Sequence, residues 1–184
     1  GLADLVLMGV QPRSASDKFG YIVPENPIHP EDDKAVKVAN FIEKPDEATA
    51  EALITQGALW NGGVFTFRLG YIMQFVNKHY NTEGTLDALV NNYTALPKTS
   101  FDLEVAEKAT SAAVVPFAGQ WKDLGTWNAL CAKLPSTHIG NVLMGNHNEN
   151  THAVNELGIP VFCDGLKDVV VAASPNGIMV CGKE

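Results

Sequence analysis

The 184-residue chain carries 13 Lys and Arg against 21 Asp and Glu, a net charge of −8, and 46% of its residues are hydrophobic. That is enough apolar surface for one domain with a substantial core, whereas the acidic balance repels a phosphate backbone and sets nucleic acid aside as a main partner. No apolar run approaches the roughly 18–20 residues of a membrane span, and the opening "GLADLVLMGV" has neither a basic leader nor a cleavage signal, so no membrane and a cytoplasmic location are expected.

"LVLMGV" (5–10) reads as a buried strand, so the chain starts inside an element, as a piece excised from something longer would. After the polar loop "QPRSASDK" a short strand is expected around "FGYIVP", then a turn-rich acidic loop, "ENPIHPEDDK". That insert is either solvated or reaches a neighbouring subunit, and solvation is the plainer reading. "AVKVANFIEKP" alternates Val36, Val38 and Phe41 with polar neighbours, as a half-buried strand does, until Pro45 ends it. Asp46 is placed to cap a helix through "EATAEALITQ", with Ala50, Leu53 and Ile54 on one face and Gly57 as its stop.

"WNGGVFTFR" reads as a glycine-kinked strand, followed by helices in "YIMQFVNKH" and "TLDALVNNY" joined at Asn81–Gly84. A third helix is expected from Thr99, with Asp102 in capping-box spacing. "AAVVPF" is then a strand. Thr126 is a good N-cap for a helix in "WNALCAKL" that ends at Pro135. Asn- and Gly-rich loops and short β runs follow, closing on a hairpin in "DVVVAASPNGIMVC" that turns at Pro175–Gly177. The pattern predicts an α/β core over 1–135 and a β-rich appendage over 136–184. Cys131, Cys163 and Cys181 are odd in number and set among apolar neighbours, which fits reduced core thiols.

Four stretches bear on chemistry. "FIEKPD" puts Glu43 and Lys44 at a strand end, where open α/β sheets bind ligands, with a carboxylate for hydroxyls beside an ammonium for phosphate. The plainer reading is an exposed ion pair on a loop. In "WNGGVF", Asn61 offers an amide to a hydroxyl, and Gly62 lets a ligand approach the backbone, although a bulge is the plainer reading. Gly20 could expose backbone N–H groups, or simply turn the chain. Asp123, in "WKDLGTW", suits either a divalent metal, with Trp121 shielding it from water, or a helix cap; spacing leaves these even. His147 and His152 lie in a polar loop with little metal-binding promise.

Taken in order, "KFGYIVP", "FIEKPD", "LWNGGVFTFR", "SFDLEVAEKA" and "WKDLGTWNAL" closely resemble the sugar-1-phosphate nucleotidyltransferase family, in its mannose-1-phosphate guanylyltransferase (GDP-mannose pyrophosphorylase) branch. The resemblance implies a partial Rossmann-like (GT-A type) sheet flanked by helices, with a short β-rich tail. It implies GTP and mannose 1-phosphate as partners of the full-length protein, GDP-mannose and pyrophosphate as products, Mg2+ as cofactor and a possible homo-oligomer. Gly20 would lie against the sugar, Glu43 accept its hydroxyls and Lys44 hold its phosphate. Asn61 would bind the sugar with Gly62 beside it, and Asp123 would be one of two aspartates on the metal. Asp102 either reaches this site or caps its helix.

The family's Gly-rich nucleotide loop and first metal aspartate do not occur in this sequence. The expectation is therefore the sugar-phosphate half of a site, inactive alone. Two rivals are a catalytically silent regulatory homologue that binds sugar phosphate, and an enzyme for glucose 1-phosphate with another nucleotide. Trp before both Asn61 and Asp123's Lys122 leans toward the mannose branch.

Overall fold

The computed structural model describes residues 3–80 and 85–183. It falls into two compact units, Gly1–Trp121 and Lys122–Glu184, a division that comes earlier than the appendage boundary read from the sequence.

In the first unit, strands β1 (Leu5–Val10), β2 (Tyr21–Pro24), β3 (Val36–Ile42), β4 (Leu59–Phe67) and β5 (Ala112–Phe117) are hydrogen-bonded in the order β1-β4-β2-β3-β5, and β5 returns to β1. Only β1 and β5 run parallel; every other pairing is antiparallel. The ring closes through two residue pairs, Val36↔Val114 and Lys37↔Ala113. Alternation along the strands sorts side chains into two cores. Leu5, Leu7, Ile22, Leu59 and Val114 join one, with Tyr71 and Phe101 packed against it. Val10, Tyr21 and Trp60 join the other, with Ala50 and Leu53.

Helix α1 (Glu47–Thr55) forms where Asp46 starts it: Asp46 Oδ1 accepts the Thr49 N–H at 2.7 Å. It stops at Gly57, whose φ of 82° lets Gly57 N–H reach Ile54 O and Ala58 N–H reach Leu53 O, a Schellman ending. Helices α2 (Leu69–Tyr80) and α3 (Leu86–Asn91) follow; the joint expected at Asn81–Gly84 lies outside the described residues. The third expected helix is instead a five-residue π turn, Asp102–Ala106, closed by Glu107 N–H on Asp102 O at 2.9 Å. Its start is capped by Ser100, whose Oγ accepts the Leu103 N–H at 3.2 Å, so Asp102 is released from the capping role.

In the second unit, Thr126 Oγ1 caps α4 (Trp127–Cys131) through the Ala129 N–H. This helix is shorter than expected. The residue before a proline avoids the helical region, and Lys133 and Leu134 close tighter turns onto Leu130 O and Cys131 O instead. Six strands follow: β6 (His138–Gly140), β7 (Val142–Met144), β8 (His152–Asn155), β9 (Val161–Cys163), β10 (Val169–Ser174) and β11 (Gly177–Gly182). β6, β8 and β10 stack in parallel, β7 pairs β9 in parallel, and β10–β11 is a two-residue hairpin over Pro175 and Asn176. Buried Asn155 donates to Asn141 O and Ile159 O, and Asn148 to Gly145 O and Cys163 O, so side-chain amides tie the loops to the short strands. All three cysteines are free; Cys131 and Cys163 are buried and Cys181 is half-buried. Among the described residues no helix is long and apolar enough to cross a membrane.

Candidate active site

One rung of the sheet gathers most of the expected site. Val10 of β1 faces Trp60 of β4, Trp60 faces Tyr21 of β2, and Tyr21 faces Ile42 of β3. Gly20 immediately precedes this rung and Glu43 immediately follows it, so both fall beside Asn61, whose N–H donates to Gly20 O at 2.7 Å. The site thus lies at one edge of the sheet, where β1, β3 and β5 end and β2 and β4 begin, in a mixed sheet rather than an open parallel one.

A side chain at Gly20 would force Glu43 and Phe41 to move. A Cβ there would come within 2.5 Å of Glu43 Oε2, 2.9 Å of Phe41 Cζ and 3.3 Å of Asn61 Cβ. Gly20→Ala is expected to destabilise the fold by about 1–3 kcal/mol through overpacking and to displace Glu43. Calorimetric titration should then show sugar-phosphate affinity falling by roughly tenfold or more; an unchanged affinity would remove Gly20 from the site.

Glu43 is the electrostatic centre. Its side chain is only 9% exposed, and Oε2 is buried with no hydrogen-bond partner. Burial first, and then the Asp102 and Glu107 charges, raise its carboxyl above the ordinary range, while Lys44 opposes them. A buried unpaired oxygen is costly and is what an accepting site for a ligand hydroxyl requires. Lys44 Nζ stands 3.5 Å from Glu43 Oε1 on a side chain that is 62% exposed. Its backbone sits at φ 47°, in the left-handed region, directly before Pro45. That conformation is uncommon for a residue with a Cβ, and such local strain concentrates at functional sites. The pair is therefore not the symmetric exposed pair of the plainer reading: the carboxylate is buried and the ammonium faces solvent.

Asn61 is buried and fully oriented. Its Oδ1 accepts the Gly63 N–H at 3.1 Å, and its Nδ2 donates to Asp102 Oδ1 at 2.6 Å. The bulge reading of "WNGG" holds at the same time, since β1–β4 pairing jumps from Leu7↔Phe65 to Gly9↔Asn61 and Gly63 takes φ 72°. Gly62 faces elsewhere: a Cβ on it would meet Met8 Cε at 2.5 Å and Met8 O at 3.2 Å, so its smallness serves β1–β4 packing.

Trp121 belongs to the aromatic cluster of the first unit. Its ring packs edge-on to Phe19 at 5.6 Å and against Trp60 at 6.5 Å, inside the first unit, and Asp123 is exposed. In the second unit Asp123 Oδ1 accepts the Gly125 N–H at 2.8 Å, a turn that leads into the Thr126 cap. An ionised carboxylate has about four lone-pair sites, so this bond leaves room for a cation, and an exposed single carboxylate fits Mg2+ held mainly by phosphates and water. Among the described residues no group of three or more His, Cys, Asp or Glu side chains is spaced to hold a metal. His147 Nδ1 lies 3.2 Å from Asp164 Oδ1, and His152 Nδ1 lies 2.8 Å from Lys183 Nζ.

A profile of the nucleotidyl transferase family matches residues 2–138. The chain belongs to the nucleotidyl transferase family. This nucleotidyl transferase chain is 31% identical over 200 residues to mannose-1-phosphate guanylyltransferase of Escherichia coli K12, covering 97% of itself and 42% of that relative. It is 28% identical over 207 residues to alginate biosynthesis protein AlgA of Pseudomonas aeruginosa, covering 98% of itself and 41% of the relative. Among solved structures, mannose-1-phosphate geranyltransferase from Thermus thermophilus matches with a TM-score of 0.64 at 29% identity, over 97% of this chain and 56% of that one. The nucleotidyl transferase chain therefore spans about two fifths of the length of these curated relatives.

Sequence reasoning missed the Asn61–Asp102 bond and the Phe19–Trp60–Trp121 cluster. Both join residues at least 41 positions apart; capping-box spacing and the family resemblance both point to Asp102, but neither names Asn61 as its partner.

Proposed function

We propose that this chain supplies the sugar-phosphate half of an enzyme that makes GDP-mannose and pyrophosphate from GTP and mannose 1-phosphate, and that it is inactive alone. The observation that carries this reading is the buried, unpartnered Glu43 Oε2 beside Gly20. A carboxylate oxygen and an amide N–H on two neighbours of Gly20 match the acceptor and donor that a sugar hydroxyl needs, and the exposed Lys44 ammonium beside Glu43 matches its 1-phosphate.

In the reaction, an oxygen of the sugar phosphate forms a bond to the α-phosphorus of GTP, and the bond from that phosphorus to the pyrophosphate oxygen breaks. The chain's residues bind and orient: Glu43 and Asn61 fix the hexose, and Lys44 neutralises and aims the attacking phosphate. Asp123 would hold Mg2+, whose chemistry when bound is to neutralise and draw together the reacting phosphates. On this reading residues 1–135 are part of a Rossmann-like GT-A domain and 136–184 its β-rich appendage. The parent would be cytoplasmic and can form a homo-oligomer.

Incubating the 184-residue chain and the full-length parent separately with GTP, mannose 1-phosphate and Mg2+ tests this. GDP-mannose is expected from the parent only. Synthesis by the chain alone would overturn the half-site reading, and none by the parent would overturn the enzyme reading.

A further inference from the structure

The amide of Asn61 has one orientation. A backbone N–H only donates and a carboxylate only accepts, so the bonds to Gly63 N–H and Asp102 Oδ1 agree on where its oxygen and nitrogen lie. Oδ1 is occupied by Gly63, one Nδ2 hydrogen is occupied by Asp102, and one Nδ2 hydrogen remains. Asn61, through its Cβ, and the unpartnered Glu43 Oε2 are both neighbours of Gly20. What Asn61 still has to offer a ligand is a donor, and what Glu43 Oε2 offers is an acceptor.

Asp102 is free for this task because of its local structure. The π turn that begins at Asp102 is capped by Ser100, and π turns recur where a side chain must be re-aimed at a functional site. A capping residue would bond within its own turn, whereas Asp102 reaches across 41 positions to β4.

We propose that Asp102 is a positioning residue that sets hydroxyl selectivity: by fixing the Asn61 amide, it makes the site select a hexose 1-phosphate carrying a hydroxyl that donates to Glu43 and receives the remaining Asn61 N–H. The proposal rests on the hexose 1-phosphate reading above. Were Asp102 absent, the Gly63 N–H alone would hold the amide, through its oxygen, and the N–H that the hydroxyl must receive would lose its fixed direction.

The test is calorimetric titration of the 184-residue chain with mannose 1-phosphate and its 2-, 3-, 4- and 6-deoxy analogues. Wild type should lose about tenfold in affinity for the analogue lacking the recognised hydroxyl. In Asp102→Ala and Asp102→Leu, which remove the acceptor, mannose 1-phosphate should weaken by about that factor while the same analogue binds as before, so the discrimination collapses. The exchanged pair Asn61→Asp with Asp102→Asn restores a hydrogen bond and should recover thermal stability without recovering discrimination. Equal weakening of all five sugars in the Asp102 variants would mean a purely structural role and overturn the proposal, as would full discrimination retained. A wild-type chain that binds none of them would overturn the hexose 1-phosphate reading itself and this inference with it.

Discussion

Replacing Glu43 with glutamine is expected to make the chain more stable at pH 7 and to weaken its hold on a hexose 1-phosphate by at least about tenfold. The carboxyl is raised in the folded state, by burial and then by the Asp102 charge, so folding favours its protonated form. The stability it contributes is complete below its ordinary value of 4.5 and is lost as the pH rises through the folded value. Glutamine is neutral throughout and escapes that loss. The melting temperature of the variant should therefore exceed that of wild type near neutrality, by roughly 2–4 °C for each kcal/mol in a chain of this size. The gap should close as the pH falls below the ordinary carboxyl range. Paired thermal scans across that range, with titration of mannose 1-phosphate, check both halves. A variant less stable at pH 7, or one that binds the sugar phosphate as tightly as wild type, would contradict the role given to Glu43. The trade of stability for a poised site is the usual signature of a functional carboxylate.

The second large effect is at Asp123. Asp123→Asn keeps an oxygen for the Gly125 N–H and should leave the fold intact, since the local turn needs only an acceptor. In the full-length protein it should lower the rate of pyrophosphate release by about 100-fold or more and weaken the dependence on Mg2+, because an amide oxygen carries no charge to offer the ion. Pyrophosphate release and Mg2+ dependence equal to the parent's would remove the metal role and leave Asp123 as the turn residue of its local geometry.

Local features were legible in the chain because their causes are local. Asp46 and Gly57 bracket α1 by side-chain capping and a left-handed glycine, Thr126 starts α4, and the Val and Ala run before Pro175 pairs with the strand after it. Glu43 and Asn61 were legible as candidates by residue type, and the resemblance ordered them. What the sequence hid is tertiary. The paired glycines of "WNGG" already suggest a bulge, but its register opposite Met8 is set only by the pairing of β1 with β4. The release of Asp102 from capping depends on Ser100 taking that role and on Asn61 lying opposite. Trp121 packs with Phe19 and Trp60, which lie 61 and more positions away along the chain. The mixed, ring-closing strand order follows from two residue pairs between β3 and β5 that carry no pattern of their own.

The central claim is that a hexose 1-phosphate is held at Glu43, Lys44 and Asn61 without any help from nucleotide. Thermal-shift titration of the 184-residue chain with mannose 1-phosphate and with glucose 1-phosphate, in the absence of GTP, tests it most directly. A saturable rise in melting temperature that is larger with mannose 1-phosphate is the predicted result; a larger rise with glucose 1-phosphate, or no rise with either sugar, would contradict it.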